Sequence, residues 1–140
     1  MYSRILLAVD LNHEASWKKA LPVASDMARE FKAELHLVTV VPDFGMASVE
    51  AYFPADFEVK ALNAAEKGLE DFASKMLKGI KAKLHVGHGR IYDQILRTAK
   101  KVDADLVVMG AHGPDMKTYL MGSNVEKVAR HFAGSVLLVR

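Results

Sequence analysis

The amino-acid sequence predicts an α/β protein: a doubly wound, five-stranded parallel sheet with helices on both faces, Rossmann-like, in one domain spanning residues 1–140. Three observations carry this expectation. Five short β-rich runs alternate with four longer segments whose apolar residues recur at three- and four-residue steps. The runs are mostly continuous in their apolar character, as strands buried on both faces must be. No repeat, low-complexity tract or linker divides the chain, whose 140 residues suffice for one sizeable core.

The first run, Ile5–Asp10, is apolar until its last residue. A helical stripe follows in Trp17, Leu21, Ala24, Met27, Ala28 and Phe31, with Pro22 either kinking that helix or marking its first turn. The second run is Glu34–Val41, and the segment after it, Pro42–Phe57, is long for a strand-to-helix connection and is expected to be functional or mobile. Its Phe44, Tyr52, Phe53 and Phe57 suit a lid, a docking surface or a loop folded onto a dimer partner. Leu62, Ala65, Leu69, Phe72, Ala73 and Met76 give the second helix, Lys83–His88 the weaker third strand, and Ile91, Ile95, Leu96, Ala99 and Val102 the third helix. Asp105–Gly110 is the fourth strand; Val125, Val128, Ala129 and Phe132 mark the last helix, and Ser135–Arg140 the last strand. Right-handed crossovers join such strands. If the first strand is central, the fourth lies beside it where the winding reverses, and the expected order is 3-2-1-4-5.

Bulk properties narrow the function. Hydrophobic residues make up 51%, charged residues 26%, mean hydropathy is +0.06 and net charge is +2, with basic and acidic residues interleaved. A nucleic-acid binder would present a clustered basic face, so no nucleic-acid partner is expected. The absence of cysteine excludes disulfides, thiolate metal sites and a cysteine nucleophile. The apolar run Ile5–Val9 is too short for a signal sequence, and no run approaches a membrane span, so a soluble cytoplasmic protein without membrane insertion is expected.

In open α/β sheets, ligands bind beyond the carboxyl ends of the strands, at the reversal of winding. There the first strand ends in Asp10 and the fourth in Met109-Gly110. Glycine serves where φ must be positive or another group must approach closely. The stretch MGAHGPDMKTYLMGSN, Met109–Asn124, holds Gly110, Gly113 and Gly122 and ends just before a helix. A helix N-terminus offers free N–H groups and partial positive charge to an anion, and Ser123 and Asn124 add side-chain donors. Two readings stay open at this point: an anion site, or a capped helix preceded by turns, with Asp10 itself a turn residue.

On these residues the chain resembles the universal stress proteins. That family follows its fourth strand with Gly-x2-Gly-x9-Gly-[Ser/Thr]; here Met109 precedes Gly110-Ala111-His112-Gly113 and then Gly122-Ser123, with eight intervening residues, Pro114–Met121. An Asp at the end of the first strand matches Asp10, and the closing strand matches Ser135–Arg140. The resemblance runs from end to end, and the -Pro-Asp-x4-Leu-x-Gly-Ser-Asn- spacing is similar to a nucleotide-binding subgroup with a shortened loop.

The resemblance implies a fold like that of the adenine nucleotide alpha hydrolases, with ATP across the crevice and ADP or AMP as alternative occupants. Asp10 and the backbone near Val40 would hold adenine and ribose. Met109, Gly110, His112 and Gly113 would approach the ribose and first phosphates, with Gly122, Ser123 and Asn124 around the phosphate tail. Mg2+ or Mn2+ would be held by the phosphates, with no metal site of the protein's own. The resemblance also implies a homodimer through Ser135–Arg140, which agrees with an apolar terminal strand that would otherwise be a sticky edge. The expected role is a nucleotide-responsive regulatory module in a stress response or in control of an unidentified partner such as a transporter. A slow ATPase or an adenylyl or phosphoryl transferase is an alternative, with Asp10 and His112 the groups near the site. A nucleotide-free structural dimer is the other. No catalytic residue is assigned.

Competing motifs are weaker. Met116-Lys117-Thr118 lacks the glycine of a P-loop, and Gly87-His88-Gly89-Arg90-Ile91-Tyr92 has Tyr92 where a dinucleotide fingerprint needs its third glycine. His85-Val86-Gly87-His88 matches an adenylyl-transferase pattern but sits on an edge-side strand. His13, His36 and His131 read as surface or packing residues.

Overall fold

The computed structural model of the protein describes residues 1–42, 56–111 and 123–140. Its strands are β1 (Arg4–Ala8), β2 (Glu34–Pro42), β3 (Ala82–Gly89), β4 (Leu106–Gly110) and β5 (Ser135–Val139). The helices among the described residues are α1 (Ala20–Phe31), α2 (Phe57–Met76), α3 (Ile91–Val102) and α4 (Ser123–His131), and a 3-10 turn, Glu14–Ser16, precedes α1. All strand pairings are parallel, in the order β3-β2-β1-β4-β5, so β1 and β4 adjoin at the reversal as expected.

Pro22 does not kink its helix. Pro22 is the third residue of α1, inside the first turn where its missing N–H has no intrahelical partner to lose. Helices α1 and α3 end on Lys32 (φ 54°) and Asp103 (φ 57°), left-handed caps usually given to glycine. Each costs about 1 kcal/mol of backbone strain, and each cap N–H recovers a carbonyl of the last helical turn.

Alternation along the strands divides the core into two layers. Ile5, Leu7, Val9, Leu35, Leu37, Leu106 and Val108 face α1 and α2, where Leu21, Ala24, Ala28 and Leu69 close over them. Leu6, Ala8, Val38, Val40, Val107 and Met109 face α3 and α4, against Ile91, Ile95, Ala99 and Val128. Each fully buried Leu, Ile or Val contributes roughly 1.5–3 kcal/mol. Trp17 meets Phe72 edge-on at 4.9 Å, joining the approach to α1 with α2. Met76, expected on the apolar stripe, is instead 43% exposed at the end of α2. Among the described residues, no helix is long and apolar enough to cross a membrane.

Candidate functional site

The sheet is uneven at its carboxyl end, and this makes a cleft. β1 stops at Ala8, while β2 continues to Pro42, paired with β3 as far as Gly89. Beyond the ladder the Val9 N–H donates to the Val38 carbonyl at 2.9 Å. Alternate backbone groups of a strand point to the same neighbour, so the Val40 amide and carbonyl point past the end of β1. Helix α2 passes over this gap with Ala61, Ala64, Ala65 and Gly68, whose small side chains leave space. A cavity of about 530 Å³ results, lined by Asp10–His13, Thr39–Pro42 and these four α2 residues. That is within the range of small-molecule sites. Gly68 keeps the helix surface low here: a methyl group on it would stand 3.3 Å from Leu11 Cδ1, so the leucine side chain would have to shift slightly.

The polar wall of the cleft is a tightly bonded turn. The Asp10 carboxylate accepts the Asn12 N–H on Oδ1 (3.0 Å) and faces His13 Nδ1 with Oδ2 (2.7 Å). The Asp10 N–H donates to Ser16 Oγ (3.0 Å), and the Asp10 carbonyl accepts the His13 N–H (3.0 Å). Ser16, fully buried, returns its N–H to the His13 carbonyl at 3.0 Å. Its hydroxyl also lies 2.8 Å from that carbonyl. Asp10 is therefore both a turn residue and a wall of the cleft; the two readings do not compete.

The expected site residues fall into four groups. Asp10 and Val40 line the cleft. Met109 and Gly110 stand at the tip of β4, but the Met109 side chain is fully buried in the α3–α4 layer and only its backbone can face a ligand. At Gly110 the space a side chain would take is filled by the Ser16 carbonyl, so this glycine permits a close approach from within the protein. Ser123 and Asn124 are the first two residues of α4, whose Val128 packs in the α3–α4 layer, on the opposite face of the sheet from α2. His112, Gly113 and Gly122 lie outside the described residues, as does most of the segment Pro42–Phe57 with Phe44, Tyr52 and Phe53.

One residue read from sequence as ordinary belongs to the site. His13 lines the cleft and is bound to Asp10. The spacing Asp-x-x-His was the available signal, but it means contact only when the intervening residues turn. Two other histidines form a second cluster between β2 and the edge strand β3. His36 Nδ1 lies 3.0 Å from His85 Nε2 across β2 and β3, and His36 Nε2 lies 3.4 Å from Glu34. Burial holds both imidazoles below their ordinary value; Glu34 opposes this at His36, and the neighbouring His36, Lys101 and Lys83 charges reinforce it at His85. Among the described residues, no group of three or more His, Cys, Asp or Glu side chains is placed to hold a metal ion.

Comparison with known proteins follows this geometry. A family model for the universal stress protein family matches residues 1–140. Universal stress protein G of Shigella flexneri is 34% identical over the full length of both chains. Among solved structures, a universal stress protein from Lactobacillus plantarum is 25% identical, with TM-score 0.72 over 99% of this chain and 98% of that one. The universal stress protein from Archaeoglobus fulgidus solved in complex with dAMP shares the fold at 20% identity, TM-score 0.63, covering 99% and 98%. The full-length match, the strand order and the glycine pattern agree: the chain belongs to the universal stress protein family.

Proposed function

We propose that this protein binds an adenine nucleotide, ATP with ADP or AMP as alternatives, and that occupancy regulates a partner protein. The observation that carries the reading is the cleft itself: a chamber of about 530 Å³ at the reversal of winding, apolar at one end and polar at the other. A purine fits between Val41 and Pro42 on one side and Ala61, Ala64 and Ala65 on the other, its edge met by the Val40 backbone. The sugar then reaches the turn Asp10–His13. From there the phosphates extend past Met109 and Gly110 toward the start of α4, where Ser123 and Asn124 stand and where helix N–H groups favour an anion. His112, Gly113 and Gly122 would complete that end, and Mg2+ or Mn2+ would be carried by the phosphates. The relative bound to dAMP is consistent with this ligand class.

A binding role is favoured over catalysis because no lysine or arginine lines the described cleft, whereas phosphoryl transfer requires strong neutralisation of charge. The homodimer through Ser135–Arg140 is supported by β5, an edge strand with Leu138 40% exposed. A cytoplasmic setting suits a nucleotide-responsive regulator. Titration calorimetry with ATP, ADP and AMP, with and without Mg2+, tests the ligand. One nucleotide per chain is expected, with thermal stabilisation that grows as RT ln(1 + [L]/Kd). No heat and no stabilisation with any of the three at millimolar concentration would overturn the proposal.

A further inference from the structure

We infer that the group presented to the ligand's sugar is the His13 imidazole, a specificity residue for ribose hydroxyls, with Asp10 behind it as a positioning residue. The inference rests on the nucleotide reading above. The Asp10 side chain is 2% exposed, while that of His13 is 44% exposed and lines the cleft. The acid is thus buried behind the base, and the imidazole is the part of the pair a ligand meets.

The pairing dictates what His13 offers. A carboxylate only accepts hydrogen bonds, so where Asp10 Oδ2 accepts, the His13 Nδ1 that lies 2.7 Å away is the donor. In the neutral ring the lone pair then sits on Nε2, on the opposite edge. None of the described residues takes that nitrogen. The residue is also held by its backbone, with its N–H on the Asp10 carbonyl and its carbonyl accepting from Ser16. In that state the cleft presents a fixed acceptor that no described residue takes, at the end where a nucleoside's sugar would lie, and a ligand hydroxyl can donate to it in place of water. A nucleotide's donors are its exocyclic amine and its sugar hydroxyls. The amine belongs with the purine at the Val40–Pro42 end, which leaves a hydroxyl for His13.

The test compares ATP with 2′-deoxyATP and 3′-deoxyATP by calorimetry on the full chain. Wild type is expected to bind ATP about tenfold more tightly than at least one deoxy analogue, the worth of one good hydrogen bond. His13→Phe keeps a planar ring without an acceptor; it should lose that tenfold for ATP, bind the deoxy analogue as wild type does, and so erase the discrimination. His13→Gln, whose amide oxygen can accept, should restore part of it. Melting curves check that both variants fold, and His13→Gln, which keeps a polar group beside Asp10, carries the comparison if His13→Phe is destabilised. Equal affinities for all three nucleotides in wild type, or discrimination unchanged in His13→Phe, overturns the role of His13 and leaves nucleotide binding intact. No binding of any nucleotide to wild type overturns both. Nitrogen NMR of the imidazole gives an independent reading: a proton on Nδ1 is expected, and one on Nε2 in the neutral ring contradicts the positioning by Asp10.

Discussion

The two ends of the sheet use polar residues in opposite ways. At the amino ends of the strands, polar groups satisfy one another. Asp105 accepts the Ser3 and Arg4 N–H groups at 2.8 and 3.0 Å, its own N–H bonds the Arg4 carbonyl, and its carbonyl accepts from Ser135. Arg4 and Lys83 both reach Glu34, at 3.3 and 3.1 Å. At the carboxyl ends, Asp10, Asn12, His13 and Thr39 are gathered around a space. The same strands supply both ends. What differs is where each strand stops: a flush edge closes on itself, and a staggered edge leaves a chamber for something else to fill.

That contrast can be broken at its sharpest point. Gly110→Val forces a branched side chain into the Ser16 carbonyl, so the turn that carries Asp10 and His13 must move. Overpacking of this kind costs about 3 kcal/mol; the expected outcome is a large drop in the urea midpoint together with loss of nucleotide affinity. Asp105→Ala acts at the closed end, where it strips two backbone N–H groups of their acceptor. A loss of about 1 kcal/mol is expected, since water can reach the exposed Ser3 N–H, with ligand affinity unchanged, and a variant that weakened binding as much as it weakened folding would dissolve the distinction.

The histidine pair adds a pH dependence. His36 and His85 are both held below the ordinary imidazole value of 6.5, chiefly by burial. Below that pH the unfolded chain therefore binds more protons than the folded one, and stability must fall as pH falls. The stabilisation is complete above 6.5 and is lost toward the lower folded values. Urea midpoints measured from pH 7.5 down to 5 should decline, and the double variant His36→Leu, His85→Leu should flatten the decline. Glu34, whose carboxyl is held below its ordinary value of 4.5 by Lys83 and His36, adds its loss only at lower pH. Smallest of all is the exposed pair Arg130–Glu126 at 2.8 Å on α4. Arg130→Ala should change stability by no more than about 0.5 kcal/mol.

Much of the fold was legible because its signals are local. Continuous apolar runs locate the five strands to within two residues at each end, and the strand order follows the family pattern. The site was less legible, because its contacts are not local. Gly110 was read as making room for a ligand, yet its neighbour is Ser16, almost a hundred positions earlier in the chain. His36 and His85 meet only because β2 and β3 pair with Val38 opposite His85, a register that periodicity does not specify. His13 lies three residues from Asp10, but nothing in the spacing says that the chain turns back there. The Ser16 bonds that enforce the turn belong to a 3-10 segment too short to leave a periodic trace.

The most direct measurement is a crystal structure of the protein grown with ATP and Mg2+. The expected map shows the purine between Pro42 and the Ala61–Ala65 face of α2, a sugar hydroxyl within hydrogen-bond distance of His13 Nε2, and phosphates at the start of α4 beside Ser123 and Asn124. Nucleotide density on another face of the sheet, or only water in the cleft at saturating ATP, contradicts the assignment of this cleft.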